Sequence, residues 1–116
     1  MSKTQIYHNP RCSKSRQTLA LLTEHQEDIE IIEYLNNTPT PAELAKLIEQ
    51  LGISPRALLR KTEAEYKELG LKNDDFTAQQ LIDIMCQHPK LIERPIVVKN
   101  GKARLGRPPE SVADIL

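Results

Sequence analysis

The fold is decided by residues 4–34, which read TQIYHNPRCSKSRQTLALLTEHQEDIEIIEY. Residues 4–8 predict a short strand that ends at the turn signal Asn9-Pro10. A leucine-rich stretch then predicts a helix over about residues 13–25, and the β-branched run at residues 29–34 predicts a second strand. Because the connections between these elements are short, the two strands should be parallel and form a β-α-β unit.

Strong helix signals follow in the middle of the chain. Residues 40–43, Thr-Pro-Ala-Glu, form a capping box with proline at the first helical position, and Gly52 predicts the end of that helix. Ser54-Pro55 predicts the start of another short helix. Residues 77–80, Thr-Ala-Gln-Gln, form a second capping box, and His88-Pro89 marks the end of the helix that it starts. The middle of the chain is therefore predicted to be helical.

A hairpin and a short helix complete the predicted order. Residues 95–98 and 102–105 predict two strands around Asn100-Gly101, which favours a type I′ turn, and residues 108–116 predict a last helical turn or two. The pattern predicts an α/β protein with a thioredoxin-like fold, made of the β-α-β unit, a helical insertion, the β-hairpin and a C-terminal helix. We expect one domain over residues 1–116, with the insertion at about residues 40–88.

Size and composition exclude several classes of protein. A chain of 116 residues and 13.2 kDa buries about two-thirds of its surface, which supports one compact domain but not two. No apolar run approaches the ~18 residues of a membrane span, and the first residues lack the pattern of a signal peptide. The net charge of zero argues against a general nucleic-acid-binding protein. We therefore expect a small cytoplasmic protein that binds neither membranes nor nucleic acid.

The basic residues are unevenly distributed along the chain. Residues 9–16 and 94–107 contain no acidic residue and hold eight of the 16 basic ones. These eight are Arg11, Lys14, Arg16, Arg94, Lys99, Lys102, Arg104 and Arg107. If the two segments meet in the folded protein, they form a pocket for a small anion; otherwise they are a solvated basic face.

Cys12 is the candidate nucleophile. It directly precedes the predicted first helix, whose free backbone N–H groups favour an anion such as a thiolate or a bound oxyanion. Arg11, Lys14 and Arg16 lie beside it, and nearby positive charge lowers the pKa of a thiol. This context favours a reactive thiol over a packed one. His8, four residues earlier, is placed either to hydrogen-bond near the thiolate or to serve the structure alone.

Other cysteine chemistries are excluded or less favoured. Ser15 stands where a Cys-x-x-Cys dithiol needs its second cysteine, and Thr18 stands where a phosphatase Cys-x5-Arg loop needs its arginine. Cys86 shares a face with Ile82 in a predicted helix, which favours a core role over that of a resolving thiol. The two cysteines match neither a disulfide framework nor a zinc site, so we expect no bound metal.

Three arginines complete the candidate site. Arg60, Arg94 and Arg107 each adjoin a stretch that indicates ordered backbone, namely a leucine pair or a proline. The planar guanidinium group suits a tetrahedral oxyanion, and three such groups can surround one. Each arginine alone is more typical of a protein surface, so the interpretation depends on their convergence in the fold.

Four motifs carry a resemblance to a known family. They are residues 7–12 (YHNPRC), 52–61 (GISPRALLRK), 88–98 (HPKLIERPIVV) and Arg107-Pro108. Together and in this order they resemble the glutaredoxin-dependent arsenate reductase family (ArsC type), with similarity over residues 6–116. The residues that follow the cysteine and the short C-terminal end are closest to a less characterised branch of that family.

The resemblance implies an activity and roles for individual residues. Cys12 is implied as the nucleophile that attacks arsenate or a similar oxyanion, with glutathione as reducing co-substrate, glutaredoxin as partner and no bound cofactor. Further roles are implied as follows: His8 tunes the site, Arg60, Arg94 and Arg107 bind the oxyanion, and Ser15 and Pro95 support the site. A cis peptide before Pro95, facing the cysteine, is also implied.

Two other functions are alternatives. The same family includes the Spx regulators, which bind RNA polymerase and typically carry Cys-x-x-Cys as a redox switch, a motif that Ser15 interrupts. The second alternative is a general glutathione-linked thiol oxidoreductase for which arsenate is a poor surrogate. Kinetics with arsenate and with model mixed disulfides distinguish this alternative from an arsenate reductase.

Overall fold

The computed structural model describes residues 3–116, which cluster into two compact units. The first unit combines the N-terminal part of the chain up to Asn37 with Arg94–Leu116, and the second unit is Thr38–Glu93. The second unit is thus a continuous segment that interrupts the sequence of the first. A single domain with an insertion at about residues 40–88 stays a prediction.

A four-stranded sheet with strand order β2-β1-β3-β4 forms the centre of the first unit. Its strands are β1 (Thr4–Tyr7), β2 (Ile29–Ile32), β3 (Ile96–Lys99) and β4 (Lys102–Leu105). β1 pairs in parallel with β2 and antiparallel with β3, and β3 and β4 form an antiparallel hairpin. Helix α1 (Ser13–Glu24) connects the parallel pair, so the predicted β-α-β unit and the mixed α/β class are confirmed.

The two strands of the parallel pair end earlier than predicted, β1 by one residue and β2 by two. The N–H of His8 still donates to the carbonyl of Ile32 at 2.8 Å, but the chain then turns at Pro10, which has no N–H for a further ladder bond. Beyond β2 the N–H of Asn36 donates to the carbonyl of Glu33 at 2.9 Å, and this segment is a turn rather than a strand.

The predicted hairpin turn is confirmed at the tip of β3 and β4. Asn100 and Gly101 have φ angles of 52° and 78°, and a type I′ turn needs positive φ at both central residues. The twist of this turn matches that of the flanking strands, which explains the short two-residue connection.

An apolar cluster holds the first unit together. Ile6 of β1, Leu22 of α1, Val97 of β3 and Val112 are each fully buried and pack against one another. Val112 belongs to a 3-10 helix, Pro109–Ile115, which takes the place of the predicted C-terminal helix. Burial of each such side chain contributes roughly 1.5–3 kcal/mol. This packing holds the start of α1 against the carboxyl end of β1.

The second unit is helical. Its elements are α2 (Pro41–Leu51), α3 (Ala64–Glu68), α4 (Ala78–Gln87) and two 3-10 helices, Pro55–Leu58 and Pro89–Leu91. The sequence patterns predict α2, α4 and the 3-10 helix Pro55–Leu58. They do not predict Pro89–Leu91, because His88-Pro89 indicates only the end of α4, and they do not predict α3, which has no buried residue and therefore no apolar periodicity. Across residues 3–116, no helix is both long enough and apolar enough to cross a membrane.

Both predicted capping boxes are present in the second unit. The hydroxyl of Thr40 accepts from the N–H of Glu43, whose carboxylate accepts from the N–H of Thr40, and Thr77 and Gln80 form the same reciprocal pair. Gly52 ends α2 with a φ of 70°, the left-handed conformation that favours glycine.

Candidate active site around Cys12

Cys12 is the N-cap residue of α1, on the loop that leaves β1. Its N–H donates to the carbonyl of Asn9 at 3.0 Å, and the Asn9 side-chain oxygen accepts from the N–H of Arg11 at 3.0 Å. Asn9 therefore stabilises the loop with both its backbone carbonyl and its side chain. The Cys12 carbonyl accepts the first helical hydrogen bond, from the N–H of Arg16 at 3.0 Å. The sulfur is left beside the free N–H groups of the first turn.

The electrostatics around the sulfur favour the thiolate. Burial raises the pKa of Cys12, but hydrogen bonds from the Ser15 N–H and the Arg94 guanidinium, the charge of Arg94 and the Lys14 N–H outweigh it. The pKa of Cys12 consequently lies below its ordinary value. Because only the thiolate is a strong nucleophile, this surrounding increases the reactive fraction at neutral pH.

The source of this acidity differs in part from the prediction. Among the predicted neighbours, Lys14 contributes through its backbone N–H rather than through its ammonium group. The guanidinium of Arg16 instead donates to the carbonyl of Pro10 at 2.9 Å. The side-chain charge that lowers the pKa of Cys12 is that of Arg94, which is distant in sequence and reaches the sulfur only in the folded chain.

Arg94 and Arg107 both approach the Cys12 sulfur. Arg94 is buried, with 9% of its surface exposed, and Nη2 of Arg107 lies 3.8 Å from Sγ. Nε of Arg107 donates to the carbonyl of Arg94 at 2.8 Å, which holds the second arginine against the first. The Arg94-Pro95 peptide is cis, as the resemblance implied, and the Arg107-Pro108 peptide is cis as well. The two basic segments thus meet at the sulfur and do not form a merely solvated face.

Ser15 links His8 to the cysteine loop. Its Oγ lies 2.6 Å from Nδ1 of His8 and accepts from the N–H of Asn9 at 3.1 Å. Ser15 is fully buried, and its own N–H donates to the Cys12 sulfur. His8 therefore contacts the site through Ser15. Burial lowers the pKa of His8, the nearby Glu33 carboxylate opposes this and Arg16 adds to it, and the net lowering favours the neutral imidazole.

Arg60 belongs to the second unit, where acidic residues surround its guanidinium. Its Nη1 lies 3.1 Å from a carboxylate oxygen of Glu93, and its Nε lies 3.6 Å from one of Glu63. Its N–H donates to the carbonyl of Leu91 at 2.8 Å, which fixes the backbone position. The implied role of Arg60 in oxyanion binding stays a prediction.

Cys86 contrasts with Cys12. It lies half-buried in α4, where burial raises the pKa of its thiol and the carboxylates of Asp83 and Glu43 raise it further. A thiol of raised pKa is a poor nucleophile at neutral pH, which favours the predicted packing role. Among the described residues there is also no cluster of three or more His, Cys, Asp or Glu side chains arranged to hold a metal ion.

Gly106 is a site residue that the sequence analysis missed. A Cβ at this position would lie 2.7 Å from Cγ of Pro95 and would also overlap the Oγ1 of Thr18 on α1. The missing side chain thus lets the segment before Arg107 approach both α1 and the cis proline. The only signal in the sequence is a glycine directly before a candidate arginine.

Comparison with protein families places this geometry in a known context. Residues 7–115 match the ArsC family. The chain is 54% identical over 116 residues to a protein from Acidiphilium multivorum that is named arsenate reductase, covering 100% of this chain and 82% of that one. It is also 50% identical over 115 residues to the uncharacterized protein YfgD of Escherichia coli K12, covering 98% and 97%.

Among solved structures, the arsenate reductase from Vibrio cholerae superposes with a TM-score of 0.95. The two sequences are 52% identical, and the match covers 97% of each chain. The agreement covers nearly the whole chain, including both segments that meet at Cys12.

Proposed function

The chain belongs to the ArsC family, and from this premise we propose that it is an arsenate reductase, an oxidoreductase that converts arsenate to arsenite. The observation that carries the proposal is the pair of guanidinium groups, Arg94 and Arg107, at a sulfur whose pKa is lowered. A reactive thiol alone serves many reactions. A thiolate beside two arginines suits a tetrahedral oxyanion that must be both bound and attacked.

The first step is nucleophilic attack on bound arsenate. Arg94 and Arg107 offset the negative charge of the oxyanion, and we assign Arg60 to the same task. The Cys12 thiolate attacks arsenic and forms a sulfur–arsenic bond, while one arsenic–oxygen bond breaks and that oxygen leaves as water after protonation. The product is a covalent Cys12–arsenate adduct in which arsenic is still pentavalent.

The second step is reduction by glutathione. A glutathione thiolate attacks the Cys12 sulfur, the sulfur–arsenic bond breaks, and its electron pair reduces arsenic from As(V) to As(III), which leaves as arsenite. The two sulfurs form a mixed disulfide, which glutaredoxin resolves to return the Cys12 thiol. This scheme uses no bound cofactor or metal. We propose a cytoplasmic location on this basis, because glutathione keeps thiols reduced there.

A coupled assay tests the proposal. NADPH oxidation is followed with glutathione, glutaredoxin and glutathione reductase, with and without arsenate. The wild-type chain should show an arsenate-dependent rate that Cys12→Ser abolishes, because a neutral serine hydroxyl is a far weaker nucleophile. The matched control, Cys86→Ser, should retain most of that rate. Reduction of a model mixed disulfide without any arsenate-dependent rate would instead identify a general thiol oxidoreductase.

A further inference from the structure

A cavity of about 290 Å³ lies in the first unit, beside the loop that carries Cys12. It is lined by His8, Asn9, Pro10, Arg11, Glu33, Leu35 and Asn36. These residues come from two segments, one directly after β1 and the other directly after β2. Because the two strands are parallel, their carboxyl ends meet at one edge of the sheet, which is where α/β proteins bind small ligands.

The lining of this cavity carries both signs of charge. The first segment contributes Arg11, a basic residue, and the second contributes Glu33, an acidic one. A ligand with a single charge would meet one of these groups as a like charge, whereas a zwitterion satisfies both. The volume of the cavity is close to the lower end for ligand sites, about 300 Å³, and suits a group of amino-acid size.

The cavity is also linked to the nucleophile through the chain and through hydrogen bonds. Arg11 precedes Cys12 in the chain, and His8 reaches from the cavity wall to Ser15 with a 2.6 Å contact. Ser15 in turn donates its N–H to the Cys12 sulfur. The cavity thus adjoins the loop that carries Cys12, whereas Arg94 and Arg107 do not line it.

We propose that this cavity binds the amino-acid end of a low-molecular-weight zwitterionic thiol, with its ammonium group at Glu33 and a carboxylate at Arg11. The inference rests on the proposed function, because it treats the bound thiol as the reductant of the second step. It assigns separate positions to the two substrates, the oxyanion at the arginine pair and the thiol at the carboxyl ends of β1 and β2.

Binding of S-methylglutathione tests the site without any reaction, because its sulfur is blocked. Titration followed by amide NMR should shift the signals of Leu35 and Asn36. Glu33→Gln should weaken binding about three- to fivefold, the upper part of the range for a solvent-exposed ion pair. Glu30→Gln is the matched control, since this exposed carboxylate lies on β2, accepts from the Gln5 side chain and does not line the cavity. It should bind as the wild type does.

A second ligand identifies the contact with Glu33. N-acetyl-S-methylglutathione lacks the ammonium group and should bind the wild type about three- to fivefold more weakly than S-methylglutathione, with no further loss in Glu33→Gln. Equal weakening of both ligands by Glu33→Gln, or amide shifts confined to other parts of the chain, would overturn the proposed site.

Kinetics separate this inference from the proposed function. In the coupled assay, Glu33→Gln should raise the KM for glutathione about three- to fivefold and leave the KM for arsenate unchanged. If this variant reduced arsenate with an unaltered KM for glutathione, the proposed thiol site would be wrong, while the proposed function would still stand. If the wild type bound S-methylglutathione but showed no arsenate-dependent rate, the proposed function would be wrong, while the binding site would still stand.

Discussion

At the scale of single residues, Cys12 and Cys86 show how the surroundings determine the acidity of a thiol. Burial raises the pKa of both. At Cys12 backbone N–H groups and Arg94 reverse this effect, whereas at Cys86 two carboxylates strengthen it. The chain thus contains its own internal control for reactivity.

Alkylation against pH measures this difference. In the Cys86→Ser variant, the rate of reaction of Cys12 with iodoacetamide should rise with a midpoint below the ordinary pKa of cysteine, because the thiolate persists to lower pH. In the Cys12→Ser variant, the midpoint for Cys86 should lie above that value. Arg94→Ala should move the Cys12 midpoint upward, since the effect of burial remains while the guanidinium is lost. A Cys12 midpoint at or above that of Cys86 would contradict the electrostatic interpretation.

The arginines are expected to act through their geometry as well as their charge. Arg94→Lys and Arg107→Lys keep the positive charge but lose the planar fork, so kcat/KM for arsenate should fall about 10- to 150-fold in each variant. The kcat/KM of Arg60→Lys should fall within the same range, because we assign this residue to the oxyanion as well.

The control for this series is Arg16→Lys, since the guanidinium of Arg16 donates to the Pro10 carbonyl and not to the sulfur. Its kcat/KM should change much less. Sulfate or phosphate should also protect Cys12 from alkylation in the wild type and lose this effect in the Arg94 and Arg107 variants. If the variants of the proposed oxyanion-binding arginines had the same kcat/KM as Arg16→Lys, this result would argue against an oxyanion site.

At the scale of elements, the site depends on how closely the end of β4 approaches α1. Gly106 follows β4, donates its N–H to the carbonyl of Pro95 at 2.9 Å and contacts Thr18 of α1. Arg107 comes directly after it. The position of the arginine is thus set by the contact between a strand end, a helix and a cis proline, and its neighbours in sequence alone do not define it.

Gly106→Ala tests this contact. The added methyl group would collide with Pro95 and Thr18, so the chain must shift, and overpacking of this kind costs about 1–3 kcal/mol. We expect a lower free energy of unfolding in urea and at least a tenfold loss in kcat/KM, on the order of one lost contact to the oxyanion. Adding Thr18→Ala should restore part of both quantities. Wild-type stability and kinetics in Gly106→Ala would show that the approach is not required.

At the scale of the whole molecule, charge is separated although the sum is zero. Eight of the 16 basic residues lie in the two segments that meet at Cys12, while Cys86 lies near Asp83 and Glu43. Anions are therefore attracted to one cysteine and repelled from the other. Salt weakens such effects, because the Debye length is about 10 Å at 0.1 M ionic strength.

The ratio of the alkylation rates with iodoacetate and iodoacetamide measures this field, since the two reagents differ in charge. For Cys12 in the Cys86→Ser variant, the ratio should fall several-fold on raising KCl from about 0.02 to 0.5 M. For Cys86 in the Cys12→Ser variant, the ratio should stay constant or rise. A ratio at Cys12 that does not change with salt would show that the basic segments exert no effective field there.

The sequence by itself determined those features whose causes lie within a few residues. The capping boxes at Thr40 and Thr77, the turn at Asn100-Gly101 and the β-α-β unit depend on local hydrogen bonds, local dihedral angles and short connections. Helix α3 escaped the analysis because it buries no residue. The predicted helix start and the basic neighbours made Cys12 a candidate, and the planar guanidinium group made Arg94 and Arg107 candidates. Motif order supported all three, but only as a resemblance.

The tertiary structure alone decided how these candidates meet. Arg94 and Arg107 are more than 80 positions from Cys12, and no local pattern specifies that they approach its sulfur or that Gly106 packs on Thr18. The cavity beside the cysteine loop likewise combines residues that follow two separate strands. Such contacts arise from sheet pairing and core packing, which act between distant parts of the chain. A thiol's acidity and a ligand's position depend on atoms within a few ångströms in space, whatever their separation in sequence.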